Sequence, residues 1–144
     1  MGMKTINNFK FDFYHIIILV AVEVWNVKKQ LKALMQCLSI PDQDISAEIV
    51  ALLLDKEGLT LSEIAENLGV SYPLALRVSN SLVGMGVLYY SRVKSPRKGR
   101  SKKVVYVDTN GLLEKVRECK SQLDEIEKML ESLSSKGRTV VAQG

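Results

Sequence analysis

The sequence holds one histidine, His15, and two cysteines, Cys37 and Cys119. That scarcity removes much of enzymology. A four-ligand zinc site needs more His and Cys than this, and a disulfide framework needs more than one pair. Thiols so widely spaced read as unpaired, which fits a reducing, intracellular compartment. No metal and no cofactor is expected. With 9 glycines and 3 prolines the chain is neither collagen-like nor dominated by linkers. It contains no P-loop, no GxGxxG and no GxSxG. No nucleophile–base pair stands out, and His15 lies in an apolar stretch, so an enzyme is not expected.

Long apolar runs are scarce too. Ile16 to Val22 is uninterrupted, but Asp12, His15 and Glu23 lie around it. A membrane helix needs about 20 apolar residues, and a signal peptide needs a small-residue cleavage site. Ile6 stands where myristoylation requires Ser or Thr. The expectation is a cytoplasmic, nucleoid-associated protein with no membrane partner. What remains is ordinary globular material: 144 residues, 47% hydrophobic, suited to one domain with a sizeable core.

Charge is distributed unevenly. The net charge is +4, yet residues 1–91 carry 7 basic against 9 acidic residues, and residues 104–144 carry 6 against 7. The stretch Arg92 to Lys103 carries 7 basic residues and no acidic one. A basic balance made by one segment is an electrostatic footprint.

Two hydrophobic seams flank the middle of the chain. Phe13, Ile17, Val20, Val24, Val27, Leu31, Leu34 and Leu38 follow alternating steps of four and three, as in a coiled-coil seam. The β-branched residues before Val20 leave a strand open there as an alternative. Ile40-Pro41 ends the helix, because the residue before proline avoids the helical region. After the break at Asn110-Gly111, Leu112, Val116, Cys119, Leu123, Ile126, Leu130 and Leu133 repeat the pattern with charged residues between them. Cys119, on the seam, reads as a small buried hydrophobe. Such seams predict a homodimer, with Val20, Val24, Val27, Leu31, Leu112, Val116, Cys119, Leu123, Ile126 and Leu130 as interface candidates.

Between the seams the signals are helical. Ser46 to Lys56 is a short apolar helix. Thr60-Leu61-Ser62-Glu63 has the form of a capping box, with the Thr60 hydroxyl accepting from the Glu63 amide and the Glu63 carboxylate capping the Thr60 amide. Gly69 suits the left-handed residue after a helix, and Ser71 caps the next helix, which runs to about Met85. Two short helices joined by a glycine turn make a helix-turn-helix. Val87 to Val93 and Val104 to Val107 are β-branched and aromatic, with a turn-rich basic loop from Lys94 to Lys102 between them. That is a β-hairpin whose tip carries the basic segment. The fold class is therefore mainly α with a small β-hairpin: a winged helix-turn-helix flanked by long N- and C-terminal helices. Its parts are an N-terminal packing or dimerisation helix (1–40), the winged domain (41–110), a coiled-coil dimerisation helix (111–134) and a frayed tail (135–144).

Residues 42–110, with LTLSEIAENLGVSYPLALRVSNSLVGMGVL followed by a basic hairpin, resemble the winged helix-turn-helix transcription regulators of the ArsR/MarR/TrmB kind. The arrangement between terminal helices looks most like small archaeal regulators that dimerise through such helices. The resemblance implies a dimeric transcription regulator or an architectural DNA-binding protein, with double-stranded DNA as partner, a recognition helix at about 71–85 in the major groove, and a wing on phosphates or the minor groove. Carried over, the recognition positions are Ser71, Tyr72, Pro73, Leu74, Leu76, Arg77, Asn80 and Ser81. The wing positions are Arg92, Lys94, Arg97, Lys98, Arg100, Lys102 and Lys103.

Leu74 and Leu76 depart from the family's polar preference. They either touch a thymine methyl or pack within the protein. Arg77 suits guanine and Asn80 suits adenine, each discriminating by roughly 1–3 kcal/mol. Arg97 and Arg100 suit a narrow A·T-rich minor groove. A second reading stays open: a winged-helix protein–protein module whose basic loop meets an acidic partner.

Overall fold

The structure is a computed structural model that describes residue 16, residues 26–94 and residues 101–143. Helix α1 covers residues 26–37. It is followed by α2 (Gln43–Lys56), α3 (Leu61–Leu68), α4 (Tyr72–Gly84), strands β1 (Leu88–Lys94) and β2 (Ser101–Val107), and α5 (Thr109–Gln143). This is the winged helix-turn-helix architecture that the sequence pattern implies.

Local chemistry sets most of the helix ends. At α3 the Thr60 hydroxyl accepts the Glu63 amide at 3.2 Å. The Glu63 carboxylate accepts a hydrogen bond from the Thr60 hydroxyl at 3.0 Å, rather than reaching the Thr60 amide as the box predicts. At α4 the Ser71 hydroxyl accepts from the Leu74 amide at 3.3 Å. Three helices end in the same way. Ser39, Gly69 and Gly86 take φ of 55°, 65° and 81°. The next amides, of Ile40, Val70 and Val87, return to the carbonyls of Met35, Ala65 and Leu82 at 3.0 Å each. Each such turn closes a helix and directs an apolar residue inward: Ile40 and Val87 are fully buried and Val70 partly so.

The core lies where α2, α3 and α4 meet the hairpin. Met35, Ile49, Val50, Leu53, Ile64, Leu82, Leu88 and Val105 are buried there. Burying each such side chain stabilises by roughly 1.5–3 kcal/mol. The hairpin is antiparallel, pairing Leu88 with Val107 and Lys94 with Ser101 at its limits. The ladder therefore begins earlier on β2 and reaches further on β1 than the expected strand limits. Leu59 adds a single bridge on the free edge of β2: its amide donates to the Val105 carbonyl at 3.2 Å, and the Val105 amide donates back at 2.8 Å. No pattern in the sequence marks that one-residue strand.

Three expectations are corrected. First, Cys37 and Cys119 are not unpaired thiols: a disulfide joins them across 82 positions, with Cα atoms 6.3 Å apart. The argument from free thiols to a reducing compartment falls with it. Second, Asn110-Gly111 is not a break. Asp108 opens α5, its carboxylate accepting the Gly111 amide at 2.9 Å and its own amide donating to the Val87 carbonyl at 2.8 Å. Gly111 sits inside the first turn because a Cβ there would run into the Gly86 carbonyl oxygen. Third, the helical run does not stop at Ser134: α5 is helical to Gln143. Among the described residues, no helix is long and apolar enough to cross a membrane.

The seams divide. Leu31 is buried in the chain's own core rather than left for a partner, and Leu112 packs partly against that core. Cys119 is buried at its disulfide. By contrast Val27, Val116, Leu123, Ile126 and Leu130 are exposed, the last three at 58%, 45% and 57%. Val20 and Val24 lie outside the described residues, as does most of the stretch for which a strand stayed open.

Candidate nucleic-acid interface

Helix α4 buries Ala75, Val78, Ser79 and Leu82. That stripe fixes the opposite one by helical periodicity: Pro73, Arg77, Asn80, Ser81 and Gly84 are exposed. Tyr72 is exposed at the helix start. Ser71 is exposed as well, but its hydroxyl is committed to the cap. Leu74 and Leu76 are half-buried and packed against the core, so packing within the protein is the alternative the structure favours for both.

The two expected base readers are each held by a side chain from elsewhere in the fold. Arg77 Nη2 donates to Asp42 Oδ2 at 3.1 Å, across 35 positions. Asp42 precedes α2 with φ of 54° and makes no capping hydrogen bond of its own. On the other side, the Tyr90 hydroxyl donates to Asn80 Oδ1. Neither Asp42 nor Tyr90 is singled out by the sequence reading. Asp42 has the form of a helix cap and Tyr90 that of a strand residue.

Strand register explains how the hairpin meets α4. Alternate residues share a face, so Leu88, Tyr90, Arg92 and Lys94 line up with Val107, Val105, Lys103 and Ser101. This face starts in the core at Leu88 and Val105 and runs outward past Tyr90 to the cations. The bond from Tyr90 to Asn80 shows that it is the α4 side. Lys103 Nζ lies 3.9 Å from the centre of the Tyr90 ring. Arg92 Nη1 donates to Ser101 Oγ at 3.2 Å. Arg92, Lys94, Lys102 and Lys103 are all exposed, and they stand on paired strands rather than in a loop. Arg97, Lys98 and Arg100 lie outside the described residues.

Burial, and next the neighbouring Tyr72, push the Tyr90 phenol above its ordinary value of 10.0. Tyr90 is therefore a neutral hydrogen-bond donor at neutral pH. Beside it, an open recess of about 460 Å³ lies between Thr60, Ser62 and Glu63 of the α3 start, Tyr72, Lys102 and Lys103. Among the described residues, no group of three or more His, Cys, Asp or Glu side chains comes together as a metal site. Chemically, the arrangement offers hydrogen-bond donors on an exposed helix stripe and a row of cations overhanging one side of it.

No family model and no curated protein matches the chain. Solved structures do. A possible transcriptional regulator from Methanosarcina mazei Go1 is 12% identical, with a TM-score of 0.52 over 68% of this chain and 82% of that one. The ST1889 protein of the archaeon Sulfolobus tokodaii is 17% identical, with a TM-score of 0.51 over 69% of this chain and 97% of that one. A further transcriptional regulator is 17% identical, with a TM-score of 0.51 over 85% of this chain and 78% of that one. At these identities the likeness is one of fold. The chain has the winged helix-turn-helix fold, and it shares that fold with solved transcriptional regulators.

Proposed function

We propose that this protein is a double-stranded-DNA-binding transcription regulator that works as a homodimer. One observation carries the reading: the exposed stripe Arg77–Asn80–Ser81 of α4 lies directly beside the cation-bearing face of the hairpin. A major groove about 12 Å wide admits a helix. With α4 seated there, the hairpin lies over the flanking backbone, where Lys and Arg neutralise phosphate and release counterions. Phosphate contacts position the protein, and the α4 side chains supply discrimination.

Dimerisation rests on α5. A helix of 35 residues with exposed Leu123, Ile126, Met129, Leu130 and Leu133 has an apolar stripe that the described residues leave open. A second copy covers it best, because a symmetric pair also sets two recognition helices on one duplex, about one helical turn apart. The protein would then act where the DNA is, in the cytoplasm and on the nucleoid.

Selection of bound duplexes from a random pool, at two salt concentrations, tests the reading. The expected outcome is binding that weakens steeply with salt, with enrichment of a two-fold symmetric sequence. Failure to bind any duplex at low salt would transfer the hairpin's charge to an acidic protein partner, the second reading.

A further inference from the structure

Arg77 is one of the two expected base readers on the exposed stripe of α4, and it is already engaged: its Nη2 lies 3.1 Å from Asp42 Oδ2. Asp42 stands in the helix-capping position of α2 with a left-handed backbone, yet its side chain makes no capping hydrogen bond. Its carboxylate is turned across 35 positions of sequence to the guanidinium of α4. Both side chains are open to water, at 67% and 37% relative exposure. Water screens such a pair, so it shifts an equilibrium by no more than about fivefold. A pair of that strength is breakable and orienting at once.

We propose that Asp42 is a specificity-determining residue of the DNA interface, acting by holding Arg77. The inference rests on the DNA-binding reading above. A guanidinium carries five N–H donors in a planar fork. Asp42 takes one edge of that fork and limits the rotamers of a long side chain. The remaining edge is presented as a unit, matching the paired O6 and N7 acceptors of guanine. The same carboxylate cancels much of the charge that a phosphate would otherwise meet at Arg77, and itself repels phosphate. Arg77 therefore adds little to binding that ignores sequence, and contributes where two guanine acceptors are aligned. The exposed hairpin cations Arg92, Lys94, Lys102 and Lys103 supply the general affinity.

The test uses the full chain and two probes: the duplex most enriched from a random pool, and a mixed-sequence duplex. The variants are Asp42→Asn, Asp42→Ala, Arg77→Ala and Asp42→Ala/Arg77→Ala. Asp42→Asn keeps a side chain that tolerates the left-handed backbone, and unfolding curves verify that it folds. For both Asp42 variants we expect mixed-duplex binding to tighten by about twofold to fivefold. The log–log salt slope should steepen by about one per subunit, because a cation has been released to phosphate. The preference for the enriched duplex should fall by a comparable factor. Asp42→Ala should change that preference no further once Arg77 is already Ala.

An unchanged preference and slope in Asp42→Asn overturns the inference while leaving the DNA reading intact. So does a preference lost additively in the double variant. A parent that binds DNA but enriches no sequence overturns it as well. A parent that binds neither probe overturns the DNA reading and this inference with it.

Discussion

Cys37, at the end of α1, is bonded to Cys119 in α5, so the first described helix and the long last one are tied to each other at one point. The two residues are 82 positions apart, and the loop that the bond closes contains α2 to β2 entire. A cross-link of this kind acts largely by restricting the unfolded chain, and the effect grows slowly with loop length.

Thermal unfolding with and without reductant follows from it. Removing the bond by Cys37→Ala or Cys119→Ala should lower stability by about 2–4 kcal/mol. Reductant should lower the parent's midpoint towards that of the variants and leave theirs unmoved. A parent midpoint insensitive to strong reductant at high temperature would mean that the bond is not a stabilising link.

Gly111 gives a prediction opposite to helix propensity. It lies in the first turn of α5, where Ala is ordinarily favoured over Gly by about 1 kcal/mol. Here a Cβ would meet the Gly86 carbonyl, which belongs to the turn closing α4. Gly111→Ala should therefore destabilise, by roughly 1–3 kcal/mol from overpacking. Urea unfolding measures it, and a stabilised variant would show that the approach of the two backbones can relax.

The apolar stripe of α5 predicts a clean separation of assembly from folding. Leu123 and Ile126 are exposed in the single chain, so a lysine at either position leaves the core untouched. Leu123→Lys and Ile126→Lys should sediment as folded monomers where the parent sediments as a dimer, because a dimer seam would bury an unpaired charge. A monomeric parent, or variants that stay dimeric, would remove α5 as the interface.

Tyr90 links pH to stability at the alkaline end. Its folded value lies above 10.0, so the folded state holds the phenol proton more tightly than the unfolded chain does. That contribution is fully present below about pH 10 and is lost as pH rises through the raised folded value. Loss of the proton also removes the donor to Asn80. The stability difference between the parent and Tyr90→Phe should be constant at neutral pH and shrink above pH 10. Thermal midpoints at a series of alkaline pH values check it. A difference that grows with pH would reverse the sign of the argument.

How much was legible depended on distance along the chain. The Thr60–Glu63 box, the Gly69 turn and the Ser71 cap are bonds between residues no more than five apart. Their partners are neighbours in sequence, so residue identity alone determines them. The hairpin and its concentration of charge were legible for the same reason: alternation and composition are local properties. So were the apolar stripe of α5 and the exposure of Tyr72, Pro73, Arg77, Asn80 and Ser81 on α4, though Leu74 and Leu76, expected beside them, are half-buried.

The sequence alone thus determined the order of the described helices and strands and most of the faces they offer, though not the ends of α5 or of the hairpin strands. Tertiary structure decided which of those faces are spent. It buried Leu31 in the chain's own core while leaving Leu123, Ile126 and Leu130 open. It paired Cys37 with Cys119, placed Asp42 on Arg77 and brought Tyr90 to Asn80. Each of these meetings joins different elements, and no periodicity links their positions. They exist only because the packing of α2, α3, α4 and the hairpin around one core fixes where the element ends come to rest.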